Sequence, residues 1–292
     1  LRHAAISEED KEGTDMADTR SVASHYTHGN LLDSIIAGVS KLGKTRDSVS
    51  VEDLGAVDEF HIGGRGATEA FLSQLSIEAD DHVLDVGCGL GGASRFAAQQ
   101  YGCRVTGIDV TPEYVETGTT LCVWVGLDGR VRLEHGDGTA LRYADDAFDK
   151  AYMLHVGMNV SDKRALVAEL RRVLKPGGTL GVYDVMRVGK GRLTYPLPWA
   201  MTEAEDFVES PGEYKDVLEK EGFKASAERN RRDFALEFFA RLQAIVAAPE
   251  GPPPLGPHIL LGETAPTKVR NIVQAITESR LAPVELIAER VA

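Results

Sequence analysis

Residues 83–92 read VLDVGCGLGG: a short apolar run, a bend rich in glycine, and then the helical segment GASRFAAQQ. Gly87, Gly89 and Gly92 fit the spacing G-x-G-x-x-G, and Gly91 completes the reading D-x-G-x-G-x-G from Asp85. Glycines let the backbone turn sharply and approach a ligand closely, with a helix N-terminus beside it. A strand–turn–helix of this kind belongs in a parallel sheet, and by itself it suits several nucleotide-type cofactors.

The flanking pattern agrees. HVLDV at 82–86, RVTGIDV at 104–110, VRLEH at 131–135, AFDKAYML at 147–154 and TLGVYDV at 179–185 read as strands. Helical segments alternate with them, including one at about 161–174 that stops at Pro176-Gly177-Gly178. Strands alternating with helices imply a parallel sheet covered on both faces. Before the sheet, LLDSIIAGVSKL at 31–42 places six apolar residues on one helical face. A second helix is expected at about 67–76, with the glycine-bearing EDLGAVDEFHIGGRG as a loop between the two. After the fifth strand come a proline-bearing lid, a helix at 214–223, a strand near 223–229, and helices at about 233–247 and 264–279 around the proline-rich 249–257. A last strand at 283–291 closes the chain.

Composition narrows the partners. The 292 residues carry a formal net charge of −13 without a long Lys/Arg run, which argues against a nucleic-acid partner. No apolar stretch approaches the length of a membrane span, and no signal peptide is visible, so a cytoplasmic enzyme is expected. The three cysteines lack metal-type spacing, and no metal site is expected. Residues 1–20 read as a disordered or vector-derived tail, with Met16 as a candidate natural start. Oligomeric state is left open, a homodimer being one arrangement the chain allows.

Three acids choose among the cofactors. Asp85 stands at the tip of the first expected strand, where a carboxylate complements an ammonium and a sulfonium and repels a pyrophosphate. Asp109 ends the second strand, where an acid accepts both ribose hydroxyls. Asp137 follows the third strand; it can accept from an adenine amine while the Gly138 N–H donates to the ring. Asp109 and Asp137 each also read as an N-cap or turn residue. Taken together with the glycine turn, the three point to S-adenosylmethionine. A nicotinamide oxidoreductase would leave Asp85 without a role and would need a group such as Tyr-x-x-x-Lys, which is absent. A binding protein that kept the cofactor fold without turnover is a further reading.

In this order and spacing, VLDVGCGLGG, TGIDV, HGDGTAL and LKPGG resemble class I S-adenosylmethionine-dependent methyltransferases over about residues 80–292. The resemblance implies an α/β, Rossmann-like, doubly wound sheet of seven strands, mostly parallel, with the last strand antiparallel and inserted beside the sixth. It also implies an N-terminal helical cap at 21–80 and a methyltransferase domain at 81–292, with a lid at 187–213 and a helical insertion at 231–280. VDEFHIGGRGATEAFL at 57–72 and YPLPWAMT at 195–202 resemble the sarcosine/dimethylglycine methyltransferase-like branch, with ubiquinone-biosynthesis-type enzymes as broader relatives. The implied acceptor is a small molecule, with a glycine-derived amine leading and a quinone-like or natural-product acceptor as the alternative. The absence of D/N-P-P-Y/F argues against the branches that methylate nucleic-acid or glutamine amines.

Methyl transfer from a sulfonium needs an acceptor lone pair held in line in a dry pocket, and a general base only when the acceptor carries a proton. His155, closing the fourth strand, is the candidate base, or else a structural histidine. Tyr26 matches the cofactor-capping tyrosine that the resemblance implies and is the second candidate at the reacting centre. His61 and Gly63 form a strip expected to close over the methionine tail. Cys88 (a small buried filler rather than a nucleophile), Val110 and Leu154 complete the expected cofactor contacts. For the acceptor, Arg65 can pair with a carboxylate or stand solvated. Tyr183 and Asp184 end the fifth strand, Tyr183 reading equally as core, and Trp199 walls the pocket or packs under the lid. Arg229, Arg231 and Arg232 read as a solvated strand end.

Overall fold

The computed structural model describes residues 21–27, 29–249 and 251–291, so the expected tail at 1–20 lies outside the described residues. Its centre is a seven-stranded sheet: β1 (His82–Val86), β2 (Arg104–Asp109), β3 (Val131–His135), β4 (Phe148–Leu154), β5 (Leu174–Arg187), β6 (Phe223–Asn230) and β7 (Leu281–Arg290). The spatial order is β3-β2-β1-β4-β5-β7-β6. β1 to β5 pair in parallel, and β7 runs antiparallel between β5 and β6. This is the doubly wound arrangement expected above, with the order reversing beside β1, where such sheets open a ligand crevice.

Alternation along the strands builds both cores. Leu84 and Val86 pack with Met153, Leu170 and Val182 on one face. Val83 packs with Phe71, Phe96, Tyr152 and Tyr183 on the other. A run apolar on both faces is the signature of a buried parallel strand, which is why β1 is legible as a continuous HVLDV. β5 is longer than expected, because Leu174 already pairs with Phe148 before an irregularity lets Thr179 meet Lys150.

Helices α1 (Leu31–Lys41), α2 (Val51–Asp58) and α3 (Gly64–Leu72) precede the sheet. The loop expected across 52–66 is corrected in part: α2 occupies its first half. A capping box starts it, with the Ser50 hydroxyl accepting from the Asp53 N–H while the Asp53 carboxylate accepts from the Ser50 N–H. The strands are bridged by α4 (Gly92–Tyr101), α5 (Pro112–Trp124), α6 (Lys163–Val173) and α7 (Pro211–Lys220). Between β6 and β7 the chain makes α8 (Arg232–Val246), the short α9 (His258–Leu261) and α10 (Ala265–Thr277). The RNRR cluster is corrected as well. Arg231 is bound to the buried Glu285 at 2.9 Å, Arg232 donates to the carbonyls of Ile276 and Thr277, and the half-exposed Arg229 also reaches Glu285, at 3.6 Å. Among the described residues no helix is long and apolar enough to cross a membrane.

Candidate active site

A cavity of about 630 Å³ opens at the C-terminal edge of β1, β2 and β4. The glycine turn forms its floor. At Gly87, φ is +68° and an added Cβ would come within 2.4 Å of Val156, so only glycine lets the turn pass under the β4–α6 loop. Gly92 serves another purpose: its Cβ would meet the Asp58 carbonyl at 2.4 Å, so its bareness lets α2 dock on the start of α4.

The acids stand along one wall. Asp85 accepts from Ser94 Oγ at 2.5 Å and from Tyr152 Oη at 3.1 Å, Tyr152 being its neighbour across the β1–β4 pairing. Burial pushes the Asp85 carboxyl up to about 7, with those two hydrogen bonds opposing the rise. Asp109 spends one bond per oxygen: Gly89 N–H donates to Oδ2 at 2.9 Å and Thr111 N–H to Oδ1 at 2.8 Å. Its carboxyl is also raised by burial, and the two N–H donors moderate the shift. Asp137 accepts twice at Oδ1, from the Thr139 N–H and hydroxyl at 2.8 and 2.7 Å.

Of the residues expected at the cofactor, Asp85, Gly87, Cys88, Gly89, Asp109, Val110, Asp137, Gly138, Leu154, His61 and Gly63 all line the cavity. Gly91 does not. It is the left-handed N-cap of α4, and a Cβ there would strike Leu133. Burial, with Asp85 and Asp109 nearby, raises the Cys88 thiol well above its ordinary range, which suits an inert filler.

His155 and Tyr26 also line the cavity. His155 holds φ at +57°, an uncommon left-handed conformation for a side-chain-bearing residue, while its N–H donates to the Tyr183 carbonyl at 2.7 Å. Its Nε2 is sealed from solvent and has no hydrogen-bond partner. Burial, reinforced by His61 at 6.0 Å between rings, holds the imidazole well below its ordinary value. Tyr26 donates to Asn159 Oδ1 at 3.4 Å, and burial raises its phenol, so it stays protonated.

The acceptor contacts need correction. Arg65 lines the cavity, but its guanidinium is committed: Nε donates to Glu59 Oε1, Nη2 to the Val51 carbonyl at 3.4 Å, and the group stacks on Phe96 at 4.8 Å. Tyr183 lies in the core behind the wall, its hydroxyl donating to the Ile62 carbonyl at 2.8 Å. Asp184 is fully buried beneath Gly157 and bonded to Tyr214 Oη and the Val185 N–H. Burial pushes its carboxyl to about 6. Trp199 does line the cavity, and Asp206 holds it by accepting from Nε1 at 3.0 Å. The same carboxylate accepts from Tyr195 Oη at 2.6 Å, bracing the lid.

Sequence reasoning missed three groups. Glu59 lines the cavity with its carboxylate on Arg65 and Thr68, and burial raises it to about 7 against the pull of Arg65. Arg95 is wholly buried: Nη2 pairs with Asp58 and Nη1 donates to the carbonyls of Leu90 and Gly118. An arginine among apolar residues in GASRFAAQQ is the signal that could have found it. Lys163, also buried, ties the Val160 and Phe207 carbonyls at 2.8 and 2.6 Å, joining the β4–α6 loop to the lid.

The cavity's charge tests the cofactor. Among the described lining residues Arg65 is the one permanently cationic side chain, and it is bound to Glu59. A pyrophosphate would meet Asp85, Asp109 and Asp137 with no free cation, whereas a cationic adenosyl ligand finds complementary charge. Among the described residues no group of three metal-ligating side chains comes together.

Comparison with known proteins agrees. Residues 83–178 match a family described as a methyltransferase domain. Methyltransferase GfsG of Streptomyces halstedii is 31% identical, across 58% of this chain and 59% of its own length. O-methyltransferase resE of Aspergillus sclerotiorum is 28% identical across 74% of this chain and 80% of its own. The match to the first of these spans about three fifths of that relative's length. The structure of a putative sarcosine dimethylglycine methyltransferase from Galdieria sulphuraria shares the fold, with a TM-score of 0.61 at 17% identity over 90% of this chain and 98% of that one. Sheet order, glycine turn and strand-tip acids thus converge with the match of residues 83–178 to a methyltransferase domain.

Proposed function

We propose that this protein binds S-adenosylmethionine across the Gly87–Gly89 turn and methylates a small-molecule acceptor that loses a proton at His155. The observation that carries this reading is the charge of the cavity: strand-tip carboxylates with no free cation among the described lining residues. Asp109 would hold the ribose hydroxyls, Asp137 and Gly138 the adenine edge, and Asp85 and Glu59 the positive methionine end. His61 and Gly63 would close over that end. When bound, the cofactor supplies an electrophilic methyl on sulfur, so the chain's own work is to bind, orient and exclude water.

His155 suits the proton. Burial keeps its imidazole neutral, and a neutral ring can accept as the acceptor oxygen becomes cationic. Its left-handed backbone at the cavity wall is a strain of the type found at functional sites. Tyr26, protonated and bonded to Asn159, would cap the cofactor rather than act as a base. The relative described as an O-methyltransferase supports a hydroxyl acceptor. With Arg65 bound to Glu59, the glycine-derived amine loses its carboxylate partner, and a quinone-like or natural-product acceptor is favoured. The lid at 187–213 and the cap at 21–80 would exclude water.

The test is transfer of labelled methyl from S-adenosylmethionine to a panel of phenols, quinols and amines. Labelled phenol or quinol ethers, lost in His155→Ala while cofactor affinity holds, are expected. Transfer that His155→Ala leaves intact would refute the role given to this residue.

A further inference from the structure

The excursion between β6 and β7 is far longer than the sheet needs. Antiparallel neighbours join through a turn of a few residues, yet here residues 231–280 intervene. Their apolar side chains build the half of the cavity that the strand tips do not: Phe238, Phe239 and Leu242 from α8, Leu260 from α9, and Val269 and Ile272 from α10. α8 is unusual in what it leaves uncovered. Among its 15 residues only Ala235 is buried, although the helix carries two adjacent phenylalanines and several branched aliphatic residues. Phe238, Phe239 and Leu242 are half-buried at the cavity wall, and Ile245 stands 50% exposed at its rim. A helix face this apolar normally buries itself against a partner.

The cavity's polar groups are distributed the other way. The acids and histidines that line it belong to the strand tips, the β4–α6 loop and the N-terminal segments, while the half built by α8, α9 and α10 is apolar. Arg65, the one permanently cationic side chain among the described lining residues, is held by Glu59. A carboxylate, phosphate or diphosphate on the acceptor would therefore be desolvated without a counter-charge, which is strongly unfavourable.

We infer that the acceptor is an uncharged alcohol or phenol with an extended hydrocarbon body. Its hydroxyl lies at His155, and α8 and α10 sheathe the body. The inference rests on the methyl-transfer reading and narrows it to one substrate class. A glycine-derived amine is excluded by its own carboxylate, and a phosphorylated acceptor by its phosphate.

The test is calorimetric titration of the full chain, loaded with S-adenosylhomocysteine, with a series of 4-alkylphenols from ethyl to octyl. Sarcosine and phosphoethanolamine serve as comparisons. Affinity should rise about three- to fourfold per added methylene, the increment expected for burial of one CH₂ group. Neither comparison should bind. Leu242→Asn should flatten the chain-length dependence while S-adenosylhomocysteine affinity is unchanged. Ile245→Gln, at an exposed position that folding tolerates, should weaken the longest phenols selectively. Affinity independent of chain length, or binding of sarcosine or phosphoethanolamine, would overturn the inference and leave methyl transfer standing. Failure of S-adenosylhomocysteine itself to bind would instead overturn both.

Discussion

At Asp109 each carboxylate oxygen takes one backbone N–H, which fixes the group while leaving lone pairs on both oxygens for a second donor. Replacing it with alanine should cost hydrogen bonds of about 1.5–3 kcal/mol, or about ten- to a hundredfold in S-adenosylmethionine affinity by calorimetry. Asp85 and Glu59 add a pH signature. Both carboxyls are pushed up to about 7 by burial. A cationic ligand favours their ionised forms, so binding must displace protons below that pH. Affinity for S-adenosylmethionine should fall as pH drops from 8 to 6, with proton release seen as buffer-dependent binding heat; a flat profile would contradict the placement of these acids. His155 has the opposite sign, since burial lowers its value and keeps it neutral well into acid. The acidic limb of kcat should therefore lie below the ordinary histidine range, and His155→Ala should reduce kcat by about 10²–10⁴.

The ends of α2 and α4 are clamped together. Asp58 closes α2, Arg95 sits in α4, and their ion pair is completely buried. Asp58→Ala would strand a buried guanidinium, and a loss of about 3–5 kcal/mol is expected in denaturant unfolding. Replacing both partners with apolar residues, Asp58→Leu with Arg95→Met, should cost less than the single change. This clamp marks where sequence reading ran short. β1 and β3 were legible to the residue because their apolar patterns are local. The partner of Arg95 lies 37 positions away, and no periodicity announces it. α2 was hidden by Gly55 at its centre, although Ser50 and Asp53 carried a capping signal. At the lid, Asp206 joins Tyr195 and Trp199 through two hydrogen bonds. Asp206→Ala should raise the acceptor KM with little change in cofactor affinity.

Across the molecule, the glycine turn and strand-tip acids form one half of the cavity, and the excursion between β6 and β7 forms the other. The first half was readable because each acid stands at or just beyond the end of its own strand in sequence. The second depends on how α8 and α10 fold back over the sheet edge, and there sequence patterns suggested acceptor contacts that the fold directs elsewhere: Tyr183 to the core and Arg65 to Glu59. The central claim is that this crevice is built for a positively charged adenosyl ligand. Calorimetric titration of the unmodified protein with S-adenosylmethionine, beside NAD under the same conditions, tests it most directly. One saturable site for S-adenosylmethionine and no binding heat with NAD is the predicted result; NAD binding in the crevice while S-adenosylmethionine fails to bind would contradict it.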